Sequence, residues 1–552
     1  MNSELIFEKG SFNRQALDQV QTVYLNNYPM VYVLYNQKRK VAYIGQTVHK
    51  NRRLNAHLTD PKRHIHNETI VIGHEKFNQS ATYNIESNLI NYFIADNQYK
   101  LQNVSQTANM QMHNYFHKEY FNEEIFGEIW DKLREEKLVK ETVENLRNKD
   151  IYKLSPYKEL SEQQLDVKNR ILDFCKKSIN NEGHHVFIVE GDAGTGKSVL
   201  LSSLFNTIQD YANEDSSALK DTTNYLLVNH SEMLKTYKSI ANSLPNLKKK
   251  NFLKPTPFVN QMDKTNTQAD IVLVDEAHLL LTKEDSYNNF HYQNHLDEII
   301  KRCKITIVIF DPKQVLKLKS YWNQRLIQEI TRHYSAETMQ LTDQFRMNAS
   351  PDTLNWINHF VSKTILPLPS NEDQEFEFKI YDNGRQLKEA IQSKNDKYGL
   401  SRIVSTFDYL HKKDGKEYYV DEKEEGVNLP WNITGNNITW AEEAHTIYEV
   451  GSIYTVQGFD LNYVGVVLGP SVSYDDETDR IVIDIHKYKD TGAFTSRNDI
   501  DADQAEQIKE DIILNSINVL MKRGIRGLYI YAVDPKLSAK LQSLKKGKES
   551  DE

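Results

Sequence analysis

Apolar and polar positions alternate along this chain in two rhythms, and their succession divides it into blocks. Near the start, MVYVLYN and VAYIGQT are short runs rich in β-branched and aromatic residues that flank the basic turn QKRK. They predict paired strands, followed by helices, in a small α+β domain ending near residue 104. From about 105 to 157 the chain becomes charged and helix-prone (FNEEIFGEIWDKLREEKLVKETVENLRNK), with no glycine after Gly127. That predicts a helical connector with solvated faces. Over 158–340 the runs VFIVE, NYLLVNH, DIVLVDE and ITIVIFD alternate with helical patterns, the signature of a buried parallel sheet covered by helices. A second alternating region spans 341–540 and includes SRIVSTF, YVGVVLG, RIVIDI and RGLYIYAVD. The residues after it, 541–552, predict a polar tail that frays. The expected fold class is α/β multidomain: a small α+β domain at 1–104, a helical connector at 105–157 and two parallel-sheet domains.

A chain of 552 residues is too long for a single core, which agrees with several domains. Its 39% hydrophobic and 26% charged residues are ordinary for a globular protein. The net charge of −9 leaves nucleic-acid contact to local basic patches. Cys175 and Cys303 lie far apart, which argues against a disulfide framework and suits a reducing, cytoplasmic setting. Met1 is followed by NSELIFEKG, with neither a basic start nor an apolar core, and no apolar run approaches membrane-spanning length. No signal peptide and no membrane association are expected.

The most specific chemistry lies in VFIVEGDAGTGKSVL, where Gly191, Gly194, Gly196, Lys197 and Ser198 form the G-x-x-x-x-G-K-S phosphate loop between a strand and a helix. Glycines let backbone amides surround phosphate oxygens, Lys197 supplies charge to the β- and γ-phosphates, and the Ser198 hydroxyl can reach Mg²⁺. The helix that follows points its positive end at the same anion. A second strand-borne motif, ADIVLVDEAHLLL, places Asp275 and Glu276 where ligands of open α/β sheets gather. Asp275 would hold Mg²⁺ and Glu276 would polarise the attacking water.

With these motifs in place, the region from about Leu160 to Asp534 resembles a superfamily 1 helicase, more closely the bacterial helicase domains related to the Schlafen proteins. The resemblance implies two RecA-like domains at 158–340 and 341–540, and roles for further residues. LSEQQ ends in Gln164, matching the adenine-reading glutamine. LLVNHSEML sets Asn229 and His230 at a strand tip that contacts the nucleic-acid backbone. VIFDPKQVL places Gln314 like the γ-phosphate-sensing glutamine. LTDQFRM supplies Arg346 from the second domain, YTVQGFDLNYVGVVLG carries Gln457 and Gly458 to couple nucleotide state to the bound strand, and NVLMKRGIRGLYIY offers Arg523 as an arginine finger. Phosphoryl transfer spreads charge over the γ-oxygens, and arginines from a second domain make cleft closure depend on nucleotide. Lys522 stands where the resembled motif usually has threonine. DEAH at Asp275–His278 also spells the signature of another helicase superfamily, but the flanking motifs favour superfamily 1.

The front block, about Tyr28 to Val104, resembles the GIY-YIG nucleases. VYVLYN stands for the first signature, with Met30 in the glycine position and Val31 for isoleucine; Tyr43, Ile44 and Gly45 form a complete second signature. Arg53 and His57 share a helix face, Glu86 lies on a later helix and Asn103 follows it. The resemblance implies that Glu86 holds one Mg²⁺ (or Mn²⁺) at the scissile phosphate and that Arg53 neutralises charge building on phosphorus. Tyr43, or Tyr32 beside it, would help to deprotonate the attacking water with His57 as partner. The run 38–40 with Lys50, Arg52, Arg53, Lys62 and Arg63 offers a phosphate footprint. His64, His66 and His74 lack matching cysteines and read as solvent-exposed or phosphate-contacting.

The pairing implies an ATP-dependent, Mg²⁺-dependent nuclease-helicase acting on DNA in preference to RNA, of a kind suited to defence against phage or to repair. A homo-oligomer or a defence partner protein would fit this role. Two alternatives stay open: an ATP-dependent switch whose nuclease fold only grips nucleic acid, and an RNA-directed enzyme.

Overall fold

The computed structural model describes residues 5–549, apart from 20–22, 26, 104–113, 287–288, 323, 345–346, 370–375, 413, 415, 434–439, 457–458 and 496–499. Arg346, Gln457 and Gly458 therefore lie outside the described residues.

The front sheet contains β1 (Ile6–Ser11), β2 (Met30–Asn36), β3 (Val41–Thr47), β4 (Glu68–Gly73) and β5 (Lys100–Leu101), in the order β1-β4-β2-β3-β5. All neighbours are antiparallel except β3 and β5. The period-2 alternation sorts side chains between two faces. Met30, Tyr32, Leu34 and Tyr43 pack with Leu54 of the helix Lys50–Thr59. Val31, Val33, Tyr35 and Ile44 pack with the helix Gln79–Asp96 on the other face. Both faces are covered, which is why these strands read as almost unbroken apolar runs.

The connector departs from expectation. Its segments Phe121–Ile125 and Phe126–Glu135 carry Phe121, Ile125, Ile129 and Leu133 at helical spacing, with Phe126 and Trp130 beside them, and all six are buried. They share one hydrophobic core with the front sheet and with the first parallel sheet. Trp130 Nε1 donates to the Glu141 carbonyl (2.9 Å), and Asp96 Oδ1, at the end of the helix Gln79–Asp96, accepts from the Lys140 and Glu141 amides (3.1 and 3.0 Å). Only one side of the connector is solvated; the other joins front and rear.

The first parallel sheet holds β6 (His185–Gly191), β7 (Asn224–Val228), β8 (Phe252–Leu253), β9 (Ala269–Asp275), β10 (Cys303–Phe310) and β11 (Ser335–Leu341), in the order β11-β6-β10-β9-β7-β8. The second holds β12 (Glu377–Ile380), β13 (Arg402–Ser405), β16 (Val450–Gly451), β17 (Leu461–Leu468) and β20 (Gly524–Ala532), in the order β12-β20-β17-β13-β16. Both are parallel throughout, as the alternation predicts. Two small antiparallel ladders complete the second unit: β14 (Tyr419–Val420) with β15 (Leu429–Pro430), and β18 (Val472–Asp475) with β19 (Arg480–Ile483).

Two expectations fail here. RIVIDI does not enter the parallel sheet, because β19 buries only alternate residues and pairs locally with β18. The region 541–549 is not frayed: the helix Pro535–Glu549 runs through it and buries Leu537 and Leu541, four residues apart. Both cysteines are free and buried. No helix among the described residues is long and apolar enough to cross a membrane.

Candidate functional site

The phosphate loop leaves β6 at Gly191 and enters the helix Lys197–Ala212. Gly194 and Gly196 adopt left-handed backbone (φ +89° and +73°), which L side chains rarely tolerate. Lys197 is folded onto the loop: Nζ donates to the carbonyls of Gly191 and Asp192 (2.6 Å each) and to Asp311 Oδ2 (3.1 Å). Asp311 directly follows β10 and Asp275 ends β9, so two neighbouring strands deliver buried carboxylates to Lys197 and Ser198 of the phosphate loop. Burial alone would raise Asp311, yet Lys197 and its other partners hold it below the usual carboxylate range.

Ser198 Oγ donates to Asp275 Oδ1 (3.3 Å), and the buried Tyr237 hydroxyl donates to Asp275 Oδ2 (2.6 Å). Burial and the adjacent Glu276 charge push Asp275 above the usual carboxylate range. Ser198 and Asp275 are thus the pair that could hold Mg²⁺. Glu276 takes a left-handed backbone (φ +50°), unusual for a glutamate and costing roughly 1–2 kcal/mol. Its Oε2 lies 3.2 Å from Nε2 of buried His278, which burial keeps neutral by lowering it to about 4.

Gln314 Nε2 donates to Asp311 Oδ2 (2.6 Å), and Arg523 is buried with Nη1 donating to the Phe459 carbonyl (3.2 Å). Lys197, Ser198, Glu276, Gln314 and Arg523 line one cavity of about 210 Å³. Pockets that enclose drug-sized ligands run to about 300–1,000 Å³, so this cavity is small by comparison. The connector also reaches this cavity: Asp150, Lys153 and Leu154 line it, and Lys153 pairs with Asp460 of the second unit (3.5 Å).

Several expected residues serve locally in this conformation. Gln164 completes a capping box with Ser161 and donates to the Thr195 carbonyl (3.0 Å), so both ends of its carboxamide brace the helix start and phosphate loop rather than facing a base. Asn229 donates to the Leu279 carbonyl (2.8 Å), and His230 caps the helix Ser231–Ser243. Sequence reasoning missed Asp311, Tyr237 and Gln344, whose Nε2 donates to the Ala193 carbonyl in the phosphate loop (2.6 Å). Asp311 had a visible signal, an acid ending an apolar run; Tyr237 reaches Asp275 only through helix packing.

The front face assembles a second cluster. The Tyr32 hydroxyl lies 2.8 Å from His57 Nε2 and accepts from Arg53 Nε (3.3 Å). The Tyr43 ring centroid lies 5.1 Å from that of His57, and the Arg63 guanidinium sits 3.8 Å from the Tyr43 centroid. Burial, then Arg53 and Arg63, lower His57 to about 4, leaving a neutral imidazole at pH 7. Burial and Tyr43 raise the Tyr32 phenol well above its ordinary value. Glu86 is buried on the helix Gln79–Asp96, near enough to Tyr32 to contribute to that rise. Asn103 holds the second signature by its backbone, accepting from Ile44 N (3.1 Å) and donating to Ile44 O (2.7 Å).

The histidine expectation needs correction: His66 and His74 are buried, and burial lowers both, His66 to about 4. His64 alone of the three is solvent-facing, and it contacts the Leu58 carbonyl. Among the described residues no group of three or more His, Cys, Asp or Glu side chains is arranged to hold a metal.

Gly45 faces Tyr32 across the ladder, and a Cβ there would overlap the Tyr32 hydroxyl and the ring carbon that bears it. Gly45→Ala is therefore expected to displace Tyr32 from His57 and cost about 1–3 kcal/mol of stability, measurable by chemical denaturation. Unchanged stability would mean that the two strands separate there without cost.

The profile of the Schlafen group 3 DNA/RNA helicase domain matches residues 184–534. The chain belongs to this Schlafen group 3 helicase family. The matched span runs from the start of β6 past the end of β20 and takes in both parallel sheets. A relative from Saccharomyces cerevisiae, the uncharacterized protein YPL245W, is 40% identical over 412 residues, covering 69% of this chain and 90% of that protein. Among solved structures, the Pif1 helicase from Candida albicans is 14% identical over 43% of this chain and 54% of its own, with a TM-score of 0.23. C. elegans PCH-2 is 13% identical over 36% of this chain and 46% of its own, with a TM-score of 0.20. Both likenesses are too loose to bear on the fold. The family match covers the two rear parallel-sheet units and not the front sheet.

Proposed function

We propose that this Schlafen group 3 helicase is an ATP-driven nuclease-helicase acting on DNA, with RecA-like rear units and a GIY-YIG-like front domain that cuts. The observation that carries the motor reading is the cavity in which Lys197 and Ser198 of the first unit meet Arg523 of the second. Such a site hydrolyses ATP by closing: water attacks the γ-phosphorus, the bond to the bridging β–γ oxygen breaks, and ADP and phosphate leave. Glu276 orients that water and takes its proton, while Lys197 and Arg523 meet the charge on the γ-oxygens. Mg²⁺ at Ser198 and Asp275 would neutralise phosphate charge.

In the front domain, the neutral His57 beside Tyr32 accepts the proton released when water attacks a phosphodiester phosphorus and the leaving oxygen departs. Arg53 meets the charge on the phosphate, and Glu86 would hold the divalent ion. A second reading, a nuclease fold that grips without cutting, is favoured by the burial of Glu86 and the raised Tyr32 phenol. The family is described as a DNA/RNA helicase domain, which keeps RNA as an alternative target. A cleavage assay on duplex, forked and single-stranded DNA and on RNA, with and without ATP, decides among these. Cutting of DNA supports the proposal; binding without cutting favours the grip, and cutting of RNA alone redirects the target.

Two variants test the motor. Glu276→Gln is expected to keep ATP binding and lower turnover by about 10²-fold or more, because the amide cannot take the proton. Hydrolysis at the parental rate would remove Glu276 as the base. Arg523→Ala is expected to lower kcat by about 10³-fold with little change in nucleotide affinity, since its charge matters most in the transition state. Equal losses of binding and turnover would make it a ground-state contact.

A further inference from the structure

Lys522 is almost wholly buried, at 2% exposure, immediately before Arg523 at the end of the helix Ala502–Met521. Its Nζ donates to Asn358 Oδ1 (2.9 Å) and lies 3.7 Å from Asp192 Oδ2, across from the second unit to the phosphate loop. The same carboxylate receives Lys313 Nζ at 2.9 Å. A buried ammonium needs an anion: burial and then Lys313 lower Lys522, while Asp192 and Asp311 pull it back up. An ammonium carries three N–H donors, and an oxygen 3.7 Å away is too distant for a well-formed hydrogen bond. Lys522 thus keeps donor capacity at the edge of the phosphate loop, one residue from a side chain that lines the cavity with Lys197.

We propose that Lys522 is a further phosphate-positioning residue, a cation from the second unit for which Asp192 and the phosphates of a bound nucleotide compete. The inference rests on the ATPase reading above and adds a residue to it. Asp192 offers Lys522 one shared carboxylate, whereas a triphosphate offers several oxygens and more charge. Binding nucleotide would therefore draw Lys522 off the loop and bring the second unit with it, in step with Arg523. Threonine, the usual residue of the resembled motif, has no charge to exchange, so this device would belong to chains with lysine here.

The test uses the full chain, steady-state ATP hydrolysis and binding of a Mg²⁺-loaded non-hydrolysable ATP analogue. Lys522→Met keeps the buried stem and removes the charge; it is expected to lower kcat about tenfold with an unchanged thermal melt, while Lys522→Arg restores most of the rate. Asp192→Asn is expected to tighten the analogue severalfold, because it frees the cation. That gain is expected to vanish in Lys522→Met/Asp192→Asn. A gain that persists in the double variant would assign the competition to Lys313 and overturn the proposal, as would parental kcat in folded Lys522→Met. If Lys522→Met does not fold, Asp192→Asn alone decides, and no tightening overturns the proposal. A parental protein that binds the analogue without hydrolysing ATP would instead count against the ATPase reading, because the affinity measurements still report on Lys522.

Discussion

Replacing Lys197 by alanine is expected to lower ATP turnover by about 10²–10³-fold or more and to weaken nucleotide binding with it. The side chain is buried, and its ammonium is held by two loop carbonyls and Asp311. Phosphate oxygens would replace those partners, so the lysine serves both nucleotide affinity and the transition state. Its removal also strips Asp311 of its main cation. Asp311 should then shift upward toward protonation, with His278 and the Gln314 hydrogen bond left to oppose the burial that raises it. Stability supplied by its depressed titration, present above the ordinary carboxylate range and lost as pH falls through the folded value, should shrink in the variant. Hydrolysis assays together with melts at pH 7 and at about pH 3 check both consequences. Turnover at the parental rate would place the chemistry outside this pocket.

How much of this was legible varied with the range of the interaction. The phosphate loop, Asp275 and the parallel sheets were readable because each is a contiguous pattern: an apolar run, its ending and the residues directly after it. Asp311 obeys the same rule and could have been read from ITIVIFD. The connector was misread because its charged residues outnumber its apolar ones. Yet Phe121, Ile125, Ile129 and Leu133 stand four apart and mark the buried stripe. The lack of matching cysteines predicts solvent-exposed or phosphate-contacting histidines, but burial is a tertiary property: His74 packs against Phe77 and Phe121. The contacts of Tyr237 with Asp275, and of Lys522 with Asp192, join residues 38 and 330 positions apart, and no local pattern signals them.

Nucleic-acid cutting should require a divalent metal and be lost in Glu86→Gln and Arg53→Ala, while ATPase activity persists in both. Glu86 is the carboxylate of the front cluster assigned to the metal, and glutamine keeps its buried volume while removing its charge. Arg53 contacts the Tyr32 hydroxyl, and its loss leaves transition-state charge unmet, which typically costs about 2.7–4 kcal/mol, or 10²–10³ in rate. Neither residue lines the cavity at the phosphate loop. The connector, however, does not insulate the two sites: it shares a core with both sheets and supplies Asp150, Lys153 and Leu154 to the cavity wall. Each variant should therefore be assayed for both activities from one preparation, with a thermal melt to show that it is folded. Cutting that persists in folded Glu86→Gln would remove Glu86 from the metal site. Loss of cutting with intact ATPase supports two separate chemistries on one scaffold. Loss of both in a folded protein would instead show that the front cluster acts on the motor through the connector, with Lys153 and Asp460 the contact to break next.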